Sequence, residues 1–209
     1  MFETHDLMLF VVAGLLLNVT PGPDVLYIMS CSTSQGWKSG AAAAFGIAAG
    51  CFVHILAAAL GLSALMTASA TAFAVVKICG AAYLIYVGIS LMRSQPPVEA
   101  ATPALVPAHT RKVFLQGFLT NALNPKVALF FLAFVPQFID PAATHKALAF
   151  LFLGAIYNFN GTLWNLFVAW SAAKAGGKLR NSGAMAWMNR CIGGLFVLLG
   201  LRLAFAKSA

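Results

Sequence analysis

Between Lys38 and Lys77 the chain carries no Asp, Glu, Lys or Arg. The stretch from Ser39 to Val76 is far longer than the ~20 apolar residues that cross a bilayer, so it holds at least one full span and a turn. Composition agrees: 61% of the 209 residues are hydrophobic and 9% charged, whereas a soluble domain carries about a quarter charged residues. Membrane insertion is the first expectation. The N-terminus offers Glu3 and Asp6 in place of the basic n-region of a signal peptide, and its apolar run leads into further spans, so it is expected to be retained.

Apolar runs bounded by charge or turn signals fall at Leu7 to Ser32, Gly40 to Met66, Thr71 to Met92, Val113 to Ile139, Ala147 to Ala173 and Met185 to Phe205. They are too long for strands and lack the two-residue alternation of a barrel. Helices satisfy their own backbone hydrogen bonds in lipid, so the fold class is all-α with six transmembrane helices. The net charge of +8 is scattered singly between apolar runs rather than clustered on a polar face, and nucleic acid is not an expected partner. Cys31, Cys51, Cys79 and Cys191 lie in apolar segments without a CxxC pair or a nearby His or acidic cluster. They read as packing residues, and neither metal nor cofactor is expected.

One segment reads as a linker, Gln95 to His109, rich in Pro and small residues. It divides a single transmembrane domain into a first half, 1–94, and a second half, 111–209, on either side of a linker at 95–110. Three spans per half would invert the second half in the membrane. Each half opens with a broken helix: Pro21 and Pro23 interrupt the first, and Asn124-Pro125-Lys126 the fourth, after Thr120 and Asn121. Matching Pro23 to Pro125 sets Asp24 against Lys126 and Val25 against Val127. This is the pattern of a 3+3 inverted repeat.

The breaks are where chemistry is expected. Within Asn18-Val19-Thr20-Pro21-Gly22-Pro23-Asp24 the prolines free carbonyls around Leu17 to Val19 at membrane depth, and freed groups are tolerated where they are buried in protein or line a wet cavity. The half-helix starting near Pro23 points a partly positive N-terminus at that cavity, which suits a carboxylate-bearing solute. A plain proline kink is the competing reading. Asp24 is the acidic residue well inside a span, where a carboxylate costs roughly 2.5 to 3.5 kcal/mol. Capping the half-helix returns only about 0.3 to 1 kcal/mol, so a charged partner, a solute amine or a proton is also expected. Lys126 has no capping role, because a helix N-terminus opposes a cation. Its partner is expected to be Asp24 or a solute carboxylate, unless it snorkels to water.

In the fifth span Asn158, Thr162 and Asn165 share one face with Gly154 and Gly161 nearby, a stripe used more often for interhelical hydrogen bonds than for solute contact. His54 reads as a satisfied packing residue and Lys77 as a snorkelling one; Tyr83 and Tyr86 suit an interface or a pathway. Placing the loops after helices one, three and five on one side collects Lys38, Arg93, Arg111, Lys112, Lys174, Lys178, Arg180 and Arg190 there, against Lys146, Arg202 and Lys207 opposite. The positive-inside rule then puts both termini on the non-cytoplasmic side.

Thr20-Pro21-Gly22-Pro23-Asp24, with Gln35-Gly36 and the Gly-rich start of helix two from Gly40 to Gly50, resembles the N-terminal signature of the LysE/RhtB amino-acid exporters. Asn124-Pro125-Lys126 with Phe134-Val135-Pro136-Gln137-Phe138 resembles that family's second-half signature. Length, span number and central linker agree over essentially the whole chain. The resemblance implies a transporter in the bacterial inner membrane that exports amino acids or related small zwitterions in exchange for protons, and a homodimer. The expected site joins Asn18, Thr20, Pro21, Gly22, Pro23 and Asp24 to Asn121, Asn124, Pro125 and Lys126, with Asn158 and Asn165 beside them. The solute carboxylate would meet a half-helix N-terminus or Lys126, and its amine Asp24 or freed carbonyls. Rival readings are a non-transporting scaffold and an intramembrane hydrolase built on Gly61-Leu62-Ser63 with His54, though His54 lies two turns from Ser63 on the same helix.

Overall fold

Proline placement decides where the first and fourth apolar runs are cut. Pro23 and Pro125 each occupy the opening turn of a helix, where a missing N–H costs nothing and the fixed φ suits the start. The computed structural model describes residues 3–20, 22–68, 70–93, 109–140, 142–175 and, within 190–201, positions 190, 193–194, 197–198 and 200–201. Its helices are α1 (Leu7–Val19), α2 (Pro23–Gln35), α3 (Trp37–Ala57), α4 (Ser63–Ala68), α5 (Ala70–Arg93), α6 (Thr110–Ala122), α7 (Pro125–Leu129) and α8 (Lys146–Ala175). A π-helical turn, Ala58–Leu62, joins α3 to α4; another, Phe130–Phe134, extends α7 and passes into a 3-10 turn at Val135–Phe138. Among the described residues strand pairing is limited to an isolated bridge between Thr4 and Ile139.

Two stretches are long and apolar enough to cross a membrane, Trp37–Leu62 and Lys146–Ala175. The pair α1–α2, and α6 with Pro125–Phe138, reach that length as bent spans, with kinks of 52° and 44°. The chain is therefore an all-helical membrane protein with two to four candidate spans among the described residues. The breaks expected in the first and fourth runs are present. The sixth expected helix, Met185 to Phe205, lies largely outside the described residues, as do the linker at 95–108 and Pro21.

Glycine sets how closely the helices approach. A methyl on Gly46 would overlap the Phe114 carbonyl, one on Gly50 the Phe118 carbonyl, and one on Gly117 would stand 2.6 Å from the Ala43 carbonyl. The Gly46–Phe114 and Gly50–Phe118 contacts rise together along both helices, so α3 and α6 run parallel with their backbones in contact. On α8 the order is reversed: Gly154 meets Ile55 while Ala169 meets Gly40, which makes α8 antiparallel to α3. Gly14 against Tyr157 and Asn18 against Gly161 align α1 with α8. The broken pair α1–α2 therefore runs opposite to α6–α7. Gly36, with φ 81, supplies the left-handed residue for the sharp turn between α2 and α3.

Two apolar clusters flank the place where the breaks meet. On one side Phe10, Phe130, Phe131, Phe134, Phe138 and Tyr157 pack together, with ring centroids 4.6 Å apart for Phe130–Tyr157 and 4.9 Å for Phe134–Phe138. On the other side the cluster is built from smaller residues: Ile28, Ala43, Ala44, Ile47, Val113 and Ala169.

Candidate functional site

The end of α1 presents the groups a proline break sets free. Thr20 folds back on its own helix, its N–H and Oγ1 both donating to the Leu16 carbonyl, at 3.1 and 2.7 Å. The carbonyls of Leu17 and Thr20 accept instead from Lys126 Nζ, at 2.9 and 3.1 Å. The buried ammonium thus sits at the C-terminal end of a half-helix from the other half of the chain, where the helix dipole is partly negative. Sequence reasoning assigned Lys126 to Asp24, a solute or water. The partner in the structure is a pair of backbone carbonyls, and Lys126 and Asp24 make no direct ion pair.

The reciprocal contact runs the other way. Asp24 lies in the first turn of α2, whose N-cap residue is Gly22 and has no side-chain cap. Its carboxylate does not cap the helix as expected: Oδ2 accepts from Asn121 Nδ2 at 2.9 Å and Asn124 Nδ2 at 3.1 Å. Asn124 is the cap of the other break, since its Oδ1 accepts from the Lys126 N–H at 3.0 Å and starts α7. His54 Nε2 donates to the Asn121 carbonyl at 2.8 Å and its ring stacks near Phe131, so this packing residue also fixes Asn121. Asp24 Oδ1 and Asn121 Oδ1 are buried acceptors without a donor among the described residues. In a low-dielectric interior such groups call for a partner.

Asn18, Thr20, Gly22, Asp24, Asn121 and Lys126 line one cavity, together with Asn158 and Asn165 of α8. Its contents are limited to about 30 Å³, room for roughly two or three waters. Pro21 lies outside the described residues, while Pro23, Asn124 and Pro125 support the cavity without facing it. On the α8 stripe Asn158 Nδ2 makes the interhelical hydrogen bond, donating to the Ala48 carbonyl at 3.1 Å, and the residue also borders the cavity. Thr162 instead bonds back to the Asn158 carbonyl. Gly161 leaves space for Asn18, whose side chain a methyl there would press at 2.9 Å.

Sequence reasoning missed the apolar and aromatic walls: Leu17, Val25, Ile47, Cys51, Val127 and Tyr157 also face the cavity. Nothing distinguishes these residues from other core positions in a linear pattern, although Val25 and Val127 follow the two charged residues directly. Tyr86, placed among the interface or pathway residues, is exposed, and the side chains of Lys77 and Tyr83 lie outside the described set. No group of metal-ligating side chains occurs among the described residues.

A polar cavity lined at two oppositely directed helix breaks and by α3 and α8 is an arrangement found among membrane transporters. The chain belongs to the family of LysE type translocators, whose model matches residues 15–207. It is thus a membrane transporter and not an enzyme. It is 31% identical to an uncharacterized membrane protein of Pseudomonas aeruginosa, with 96% of this chain and 95% of the relative covered. It is 30% identical to a homoserine/homoserine lactone efflux protein of Salmonella typhi, with 96% of each covered. A leucine efflux protein of Salmonella choleraesuis is 29% identical, with 95% of this chain and 94% of the relative covered. No solved structure matches the chain.

Proposed function

We propose that the protein exports amino acids or related small zwitterions from the bacterial cytoplasm across the inner membrane, in exchange for protons. The observation that carries this reading is the crossed pair of breaks, in which Asp24 and Lys126 enter one cavity from opposite halves. The solute amine takes Asp24 Oδ1 and Asn121 Oδ1, the buried acceptors without donors. Its carboxylate takes Lys126, whose three N–H donors exceed the two carbonyls it serves. Relatives named for homoserine and leucine efflux support the same solute class.

The chain works as six spans in two inverted halves of three, with the basic loops in the cytoplasm and both termini outside. A cavity for two or three waters is too small for an amino acid, so transport requires the halves to part. The small-residue plug around Ile28 and Ala43 closes the side toward Lys38 and Arg111, and the aromatic plug closes the other. When the solute leaves, the Asp24 carboxylate loses a cation, and a proton from outside replaces it for the return step. That exchange couples export to the proton gradient.

A direct test loads cells lacking their own exporters with a toxic neutral amino-acid analogue. Cells making the wild-type chain are expected to survive, and cells making Asp24→Asn or Lys126→Ala at equal membrane levels are not. Full resistance in both variants contradicts the site.

A further inference from the structure

The charges facing the cavity can be counted helix by helix. From α1 and the Thr20 that ends it come only amide, hydroxyl and aliphatic groups; α2 contributes Asp24 and Val25; α3 contributes Ile47 and Cys51; α6 contributes an amide; α7 contributes Lys126 and Val127; and α8 contributes Tyr157 beside its amides. Among the described residues one carboxylate therefore faces one ammonium, and every other lining group is neutral in its ordinary form. A zwitterion held by its own amine and carboxylate leaves that balance intact. A third charge on the solute side chain would be buried with no partner, a costly arrangement in a low-dielectric cavity.

The remaining wall tells where the side chain goes. Ile47, Cys51 and Val127 are 4%, 3% and 2% exposed, and none offers a charge. Val127 follows Lys126 on α7, and Cys51 lines the same cavity as Asp24. A solute spanning the two charged residues thus brings its α-carbon substituent against this aliphatic and thiol surface.

We propose that this transporter accepts amino acids whose side chain is uncharged and excludes dibasic and acidic ones, with Ile47, Cys51 and Val127 forming the wall that receives the side chain. The proposal rests on the exporter reading and adds a selection rule to it.

The test is counterflow into proteoliposomes of the purified full-length chain, with labelled leucine, threonine, lysine and glutamate at equal concentration. Leucine or threonine is expected to exchange at least tenfold faster than lysine and glutamate, and a smaller difference overturns the rule. In Val127→Asp the new carboxylate offers the lysine side chain its missing partner, so the lysine-to-leucine ratio is expected to rise at least tenfold. An unchanged ratio in inserted Val127→Asp overturns the assignment of the wall. If that variant fails to insert, the wild-type panel still decides the rule. Exchange of none of the four by wild-type protein overturns the exporter reading itself, an outcome distinct from exchange without charge preference.

Discussion

Asp24 and Lys126 occupy matched positions one residue after the proline of each break, and each is bound by the break of the opposite half. The carboxylate takes the amides of Asn121 and Asn124, and the ammonium takes the carbonyls of Leu17 and Thr20. The two charges neutralise a shared cavity without closing on one another.

Removing the ammonium orphans backbone as well as charge. In Lys126→Met the Leu17 and Thr20 carbonyls lose their donor, at a cost of about 1 to 3 kcal/mol for a buried unsatisfied group. Thermal unfolding of the detergent-solubilised protein should show a lower Tm for Lys126→Met, and Lys126→Arg, which keeps donors, should lose less. Equal Tm values for wild type and Lys126→Met contradict the carbonyl contact.

The contact of α3 with α6 makes a second prediction. A methyl on Gly117 meets the Ala43 carbonyl at 2.6 Å, whereas one on Gly61 meets nothing within 4 Å. Gly117→Ala should cost about 1 to 3 kcal/mol through overpacking, and Gly61→Ala should be neutral or slightly stabilising. Fluorescence-detected melting of the two variants compares them directly, and equal losses would argue against close packing at Gly117.

Outside the helices, Glu3 ties the N-terminus to the start of α8. Its carboxylate accepts from the His145 N–H at 2.9 Å and from Thr144 Oγ1 at 2.8 Å, and bonding of the charged form, the His145 amide first, lowers its pKa from 4.5 to about 2. A depressed carboxyl pKa means the tie is fully present above about pH 4.5 and is lost as pH falls through about 2. Hydrogen exchange should show the His145 amide slowed at pH 5 in wild type and faster in Glu3→Gln at the same pH. Identical exchange in the two proteins contradicts the tie.

The breaks were legible because proline and a buried charge are rare inside apolar helices, and aligning Pro23 with Pro125 was enough to pair Asp24 with Lys126. The partners of those charges were harder to read. Lys126 is held by main-chain carbonyls, which have no signature in a side-chain pattern, and Asp24 by amides ninety-seven and one hundred residues away. Asn121 and Asn124 were visible as polar residues next to a break, but not as the groups that hold Asp24. Cys51 and Tyr157 face the cavity through helix rotation alone, which an apolar sequence with weak amphipathicity does not specify.

The central claim is that one zwitterion bridges the two breaks, and counterflow of a neutral amino acid through proteoliposomes of wild type, Asp24→Asn and Lys126→Ala tests it most directly. Each variant is expected to lose at least tenfold in exchange rate at equal insertion, with any residual exchange in Asp24→Asn indifferent to a pH gradient. Wild-type rates in either variant, or a residual rate in Asp24→Asn that still follows the gradient, would contradict it.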